Sequence, residues 1–153
     1  FAFGAPTIGY LADRFQLRRL PVLMASIVAL CSSILFIYAP MPTIAHALAL
    51  LLLGASISGF LPLFSSIKEL HSKKIRATAL GFMNTLNMLG AAILEPLLGW
   101  LMQSQKPHTN KLYSMTDYTL QNYQQALVLI PVIFLLALCI IPFIRETHAK
   151  SID

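Results

Sequence analysis

The stretch Gly9-Tyr10-Leu11-Ala12-Asp13-Arg14-Phe15-Gln16-Leu17-Arg18-Arg19 is a short charged turn between two apolar segments. Residues 20–38, which follow it, contain no charged side chain. They are long enough to cross a bilayer, because about 20 helical residues at 1.5 Å each span a hydrocarbon core of roughly 30 Å. The turn therefore predicts a point where two membrane helices are joined at the water interface.

The chain contains four long apolar segments, at residues 20–38, 44–67, 77–102 and 126–144. It is 57% hydrophobic and 11% charged, against roughly 25% charged residues in a soluble domain. Segments that span a membrane must satisfy their own backbone hydrogen bonds, and the alternating pattern of barrel strands is absent, so each segment is predicted to be helical. The sequence thus predicts an all-α polytopic membrane protein.

Basic residues divide the connecting segments into two groups. Residues 13–19, 68–76 and 145–153 carry nine Lys or Arg between them, whereas residues 39–43 and 103–125 carry two. Because loops rich in Lys and Arg stay in the cytoplasm, the first group, including the tail 145–153, is predicted to face the cytoplasm of the cell (inner or plasma) membrane. The net charge of +5 follows from this topology and from lipid headgroups, so it indicates no nucleic-acid partner.

The charged turn resembles the signature loop of the major facilitator superfamily (MFS) of secondary transporters, in the pattern Gly9-x-Leu11-x-Asp13-Arg14 followed by Arg18 and Arg19. In that family the loop joins neighbouring helices on the cytoplasmic side and helps the protein to switch between its two open states. Gln16 stands where the family usually has a second Gly, and Leu17 where it usually has a basic residue.

The resemblance implies that residues 1–153 are the C-terminal part of an MFS transmembrane domain. Residues 1–12 are then the end of helix eight, and the four spans are helices nine to twelve of a transporter with two six-helix halves. The missing N-terminal part of the same transporter is the implied partner, together with membrane lipids.

Two further motifs resemble signatures of the sugar-porter branch of the family. One is its intracellular charge-relay motif, Glu-(six residues)-Arg, and the other is the Glu-Thr signature that follows its twelfth helix. Glu69 and Arg76 are separated by six residues in the segment 68–76, and Arg145-Glu146-Thr147 follows the last span. The expected relay consists of Gly9, Asp13, Arg14, Arg18, Arg19, Glu69, Arg76 and Glu146.

The helix dipole predicts how this relay is arranged. The span 77–102 starts at the cytoplasmic face, so Asp13 is expected to lie against its positive N-terminus and near Arg76. Gly9 and Gly81 are expected to permit close helix approach. The alternative is that these side chains are solvated loop charges.

Polar side chains within the spans indicate where a solute or proton could bind. Asn84, Asn87 and Glu95 fall within an arc of about 80° on one helix. An ionised carboxylate inside a span costs several kcal/mol unless it is paired or faces water, so Glu95 is a candidate proton carrier. The alternative is that Glu95 anchors a neighbouring helix. Because residues 20–38 and 126–144 have few polar side chains, those spans are expected to face lipid.

The remaining chemistry indicates transport rather than catalysis. The spans offer one Glu and no Lys, so neither a nucleophile with its base nor a carboxylate pair is present. Cys31 and Cys139 lie in different spans without metal-ligand spacing, and no cofactor is predicted. We therefore expect a secondary transporter that moves a small solute, coupled to protons, by alternating access. A receptor or sensor on the same fold, which binds a solute without moving it, is the alternative.

Overall fold

The computed structural model describes residues 1–104 and 119–147, and every regular element among them is helical. The α-helices are α1 (Gly4–Phe15), α2 (Arg19–Tyr38), α3 (Thr43–Ile57), α4 (Leu61–Leu70), α5 (Arg76–Ser104), α6 (Leu120–Leu127) and α7 (Leu129–Ile140). Four stretches are long and apolar enough to span a membrane, at Arg19–Tyr38, Thr43–Leu70, Arg76–Ser104 and Leu120–Phe143. The predicted all-α fold with four spans is confirmed.

The charged turn begins where α1 ends in a left-handed residue. Gln16 has φ 51° and ψ 32°. The Leu17 N–H donates to the Ala12 carbonyl at 3.2 Å and the Gln16 N–H to the Asp13 carbonyl at 3.3 Å, which is the pattern of a Schellman motif. Gly is preferred at this position because it adopts a positive φ without steric cost. The Gly that the family usually places at this position therefore has a local structural reason.

The span predicted at residues 44–67 is longer than expected and is interrupted. α3 and α4 are joined by a 3₁₀ turn at Ser58–Phe60. Pro62, within the first turn of α4, has no N–H to donate to the preceding turn. This missing hydrogen bond accounts for the tighter 3₁₀ turn between the two α-helices. The interruption places Ser58 and Gly59 in tight contact with α1 and α2, since a Cβ on Gly59 would overlap Ala25. Small residues at the interruption therefore permit close contact between these helices.

The last span begins at Leu120, six residues before the expected residue 126. Thr119 caps α6 through a capping box with Asn122, in which the Thr119 N–H donates to Asn122 Oδ1 at 2.9 Å. Val128 separates α6 from α7, where Pro131 cannot donate a backbone hydrogen bond. At this end Gln124 Nε2 donates to the Ile37 carbonyl at 2.9 Å, which joins α6 to the end of α2.

The first span packs against other helices on one side only. α2 packs against both α3 and α7, and its small residues Ala25, Ala29, Ser32 and Ser33 are buried. Large side chains such as Leu35 on its other face are exposed. α2 therefore has one packed face and one exposed face, because small side chains, rather than the absence of polar ones, permit close helix contact.

α5 packs less than any other span. It remains helical through Pro96, contacts α4 and α6, and has no buried residue among those described. A Cβ on Gly81 would meet nothing within 4 Å, and the same holds for Gly9 on α1. The expected close approach at these two glycines is therefore wrong for the described helices.

Candidate functional site: an ionic cluster around Arg18

The structure brings three basic segments together at one end of the helices. Asp13 lies on the last turn of α1, Arg18 precedes α2, and Glu69 is near the end of α4. Glu146 and Thr147 follow the 3₁₀ turn Ile141–Phe143 at the end of the last span. These five residues contact one another and are called the Arg18 cluster below. The prediction that segments 13–19, 68–76 and 145–153 share one face holds for the described residues, while 148–153 lie outside them.

The Arg18 guanidinium is at the centre of this cluster. Its Nη1 donates to Asp13 Oδ1 at 2.5 Å, and its Nη2 donates to Glu69 Oε1 at 2.6 Å. Nε donates to the same Glu69 oxygen at 3.1 Å. Arg18 as a whole is only 6% exposed. A buried guanidinium held by two carboxylates has its charge compensated, which buried charges require.

The two carboxylates differ sharply in exposure. The Asp13 side chain is 71% exposed, whereas that of Glu69 is 12% exposed. Ion pairs that reach water contribute about 0–1 kcal/mol, while removing one partner of a buried pair costs roughly 3–5 kcal/mol. The Arg18–Glu69 contact is therefore the stable part of the cluster, and the Arg18–Asp13 contact is the part that can open at little cost.

Thr147 also contacts Glu69, since its hydroxyl donates to Glu69 Oε2. Glu69 thereby accepts hydrogen bonds on both of its oxygens. Oε1 accepts from Arg18, the residue before α2, and Oε2 accepts from Thr147 in the tail. Thr147 was not among the predicted relay residues. Its position directly after Glu146 in the tail motif is the signal that could have identified it.

Glu146 caps the first turn of α2. Its Oε1 accepts from the Arg18 N–H at 2.6 Å, and its Oε2 accepts from the Arg19 N–H at 2.9 Å. The cap residue Arg18 supplies no side-chain cap of its own. A carboxylate at this place satisfies two otherwise unpaired N–H groups and interacts favourably with the helix dipole. The tail after the last span thus fixes the start of α2.

The charge of Arg18 does not titrate in the physiological range. Burial alone lowers the pKa of its guanidinium, but hydrogen bonds to Glu69 and Asp13, with the attraction of both carboxylates, outweigh that cost and raise the pKa above its usual value. The stabilisation from this charge is present below the unfolded-state pKa and is lost only above physiological pH. Arg18 is consequently a fixed charge and is unsuited to carry a proton.

The other predicted relay residues lie beside the cluster. Arg14 donates to the Tyr10 hydroxyl at 2.7 Å and lies over the Tyr10 ring, and Arg19 takes part through its backbone. Arg76 Nη2 donates to the His71 carbonyl at 3.3 Å. Asp13 is paired with Arg18, which the prediction did not name as its partner, and no ion pair joins Asp13 to Arg76 among the described residues. The Schellman turn at Gln16 sets the path of the chain after α1, and on this path the Arg18 side chain contacts Asp13.

The polar residues of α5 are separate from this cluster. Asn84, Asn87 and Glu95 are all exposed, on a helix that packs only lightly against the others. Glu95 lies about 16 Å along the helix axis from Asn84, which is three turns. The structure therefore presents one polar stripe that the described helices do not cover.

Comparison with known proteins identifies the family. No curated protein and no solved structure matches this chain. The model of the Major Facilitator Superfamily matches residues 1–152, so the chain belongs to that superfamily, whose members have a transporter-type function.

Proposed function

We propose that this chain is the C-terminal part of a secondary active transporter, supplying the end of helix eight and helices nine to twelve. The transporter moves a small solute across the cell membrane by alternating access and couples that movement to protons. The observation that supports this most strongly is the Arg18 cluster, in which one buried cation holds the ends of three elements together.

The cluster suits a conformational switch because its bonds differ in strength. Alternating access requires two conformations of nearly equal free energy, since a preference of several kcal/mol would trap one of them. The exposed Asp13 pair contributes about 0–1 kcal/mol, enough to bias the two states without locking either. The buried Glu69 pair and the Glu146 cap hold α2, α4 and the tail together in both states.

The polar stripe of α5 is the proposed contact for solute or protons. Asn84 and Asn87 can donate and accept hydrogen bonds, and Glu95 is the single acidic residue of α5. A carboxylate that moves between apolar surroundings and water changes its proton affinity, which is how such a residue couples proton movement to a conformational change.

The transporter and the receptor proposals are separated by measuring flux and binding together. Full-length protein is purified, and a panel of solutes is screened for those that raise its unfolding temperature, since a bound ligand stabilises the folded state. The stabilising solute is then offered to proteoliposomes. Uptake above that of protein-free vesicles supports the transporter. Binding without any flux supports the receptor.

The proposed proton role of Glu95 is tested by comparing Glu95→Gln with Glu95→Asp. The Gln variant mimics a permanently protonated carboxyl, so it should exchange solute across the membrane yet fail to accumulate it under a pH gradient. The Asp variant keeps the titrating group and should retain part of the accumulation. If pH-driven accumulation survives unchanged in the Gln variant, Glu95 does not carry the coupled proton.

A further inference from the structure

The membrane-spanning stretch Thr43–Leu70 is interrupted near its middle, at the 3₁₀ turn Ser58–Phe60. An interruption next to a proline commonly lets a helix bend, because a hydrogen bond of the regular helix is missing there. The contacts around the turn decide whether α3 and α4, the helices on its two sides, can move separately.

The backbone carbonyls at the turn have hydrogen-bond partners of their own. The Ser58 carbonyl, to which Pro62 cannot donate, accepts from the Leu61 N–H. The Ala55 carbonyl accepts from the N–H and from the hydroxyl of Ser58. The turn is therefore a hydrogen-bonded element of the fold and not a loose connection.

Glycines allow two neighbouring helices to approach the turn closely. A Cβ on Gly59 would overlap Ala25 of α2, and a Cβ on Gly4 of α1 would overlap Ser58 and the Ala55 carbonyl. Ser58 is 0% exposed, and Gly59 is buried. Contacts as close as these leave no space into which the turn could bend towards α1 or α2.

The helix α2 is attached to the interrupted stretch on both sides of the turn. Before the turn, α2 packs along α3. At the turn, Ala25 packs on Gly59. About 10 Å from Ala25 along α2, Arg18 binds Glu69 near the end of α4. Because α2 is one uninterrupted helix, its attachment to both α3 and α4 opposes bending between them.

From these contacts we propose that α2 is a splint that holds α3 and α4 together as one rigid unit. The contact of Gly59 with Ala25 and the Arg18–Glu69 pair are its fixed points. The 3₁₀ turn then serves close packing and is not a hinge. A rigid unit transmits a displacement of α4, where the Arg18 cluster lies, to Thr43 at the other end of the stretch, about 40 Å away. The splint acts in this way whichever solute is carried.

The test is the distance between two spin labels, one on each side of the turn, in the full-length protein in lipid nanodiscs. Leu51 of α3 and Lys68 of α4 are exposed, and cysteines at these positions carry the labels after the other cysteines are changed to alanine. The two positions are about 25 Å apart along the helix axis. Pulsed electron double resonance should give one narrow distance distribution. Two distances, or one broad distribution, would overturn the proposal, because α3 and α4 would then move separately.

Substitution at the glycine contact tests what holds the unit rigid. Gly59→Ala adds a methyl group that overlaps Ala25, so it should broaden the distance distribution and lower the unfolding temperature. Gly54→Ala is the matched control on α3, because its methyl group would make only an ordinary contact, at 3.8 Å from the Phe1 backbone nitrogen. It should leave the distance distribution unchanged. If Gly59→Ala does not fold, Ala25→Val crowds the same contact from α2 and should broaden the distribution in its place. A distribution as narrow as that of the control would overturn the proposal.

Discussion

The Arg18 guanidinium holds the Glu69 carboxylate by hydrogen bonds from Nη2 at 2.6 Å and from Nε at 3.1 Å, and so joins the start of α2 to the end of α4. Both side chains are largely shielded from water, at 7% and 12% exposure. Asp13, by contrast, reaches the same guanidinium from a position that is 71% exposed. The buried Arg18 guanidinium therefore has two different partners. Its contact with Glu69 is shielded and stabilises the fold, whereas its contact with Asp13 is exposed and can break at little cost.

Removing the charge of Glu69 should destabilise the protein. Glu69→Gln leaves the buried Arg18 with Asp13 as its remaining carboxylate partner in the cluster, and we expect a loss of roughly 2–4 kcal/mol in the free energy of unfolding. Chemical unfolding of the full-length protein in detergent measures this. Lys68→Gln, at the exposed neighbouring position, is the control and should change stability by no more than about 0.5 kcal/mol. Equal stability of the two variants would contradict the assignment of Glu69 as the structural partner.

Removing the charge of Asp13 should affect transport more than stability. Because Asp13 is mostly exposed, Asp13→Asn should cost about 0–1 kcal/mol of stability. It should nevertheless slow solute flux strongly, with solute affinity comparatively unchanged, because it alters the balance of conformations. Asp13→Glu restores the charge and should recover part of the rate. Near-normal flux in Asp13→Asn would return this residue to the status of a solvated loop charge.

The hydrogen bonds by which Glu146 caps α2 should contribute to stability separately from the charge of its carboxylate. Glu146→Ala removes the acceptors for the Arg18 and Arg19 N–H groups, and we expect a cost of about 1–2 kcal/mol in the free energy of unfolding. Glu146→Gln keeps one acceptor oxygen and should cost about half as much. If the Ala and Gln variants unfold alike, the capping role is wrong.

The proposed orientation predicts which segments are accessible from outside the cell. With Cys31 and Cys139 both replaced by Ala, single cysteines in segments 39–43 and 103–125 should react with an impermeant thiol reagent added to intact cells. Cysteines in segment 68–76 should react only after permeabilisation. The opposite pattern would reverse the topology and place the Arg18 cluster outside.

The sequence predicts the spans well because their signal is local. A run of about 20 apolar residues must be a membrane helix whatever surrounds it, so all four appear where expected. The errors concern helix ends. Leu120–Leu127 is too polar to resemble a span, although Thr119 and Asn122 form a capping box that signals its start. Pro62 was the corresponding signal for the 3₁₀ turn at Ser58–Phe60.

The candidate site is predicted only in part because it depends on the tertiary fold. The sequence places Asp13, Glu69 and Glu146 in segments of one face, and the structure confirms that they meet. It could not select Arg18 over its neighbours Arg14 and Arg19, since all three occupy one short turn. The choice follows from the left-handed Gln16, which sets the direction in which the chain leaves α1.

Solute counterflow tests the central claim most directly, because it requires the loaded site to face each side of the membrane in turn. Proteoliposomes of the full-length protein are filled with a high concentration of unlabelled solute and diluted into a trace of labelled solute. The account predicts that label accumulates transiently inside above its outside concentration and then declines, with no ion gradient imposed, and that Asp13→Asn slows this rise. Label that never exceeds the outside concentration, in protein that still binds the solute, would contradict alternating access.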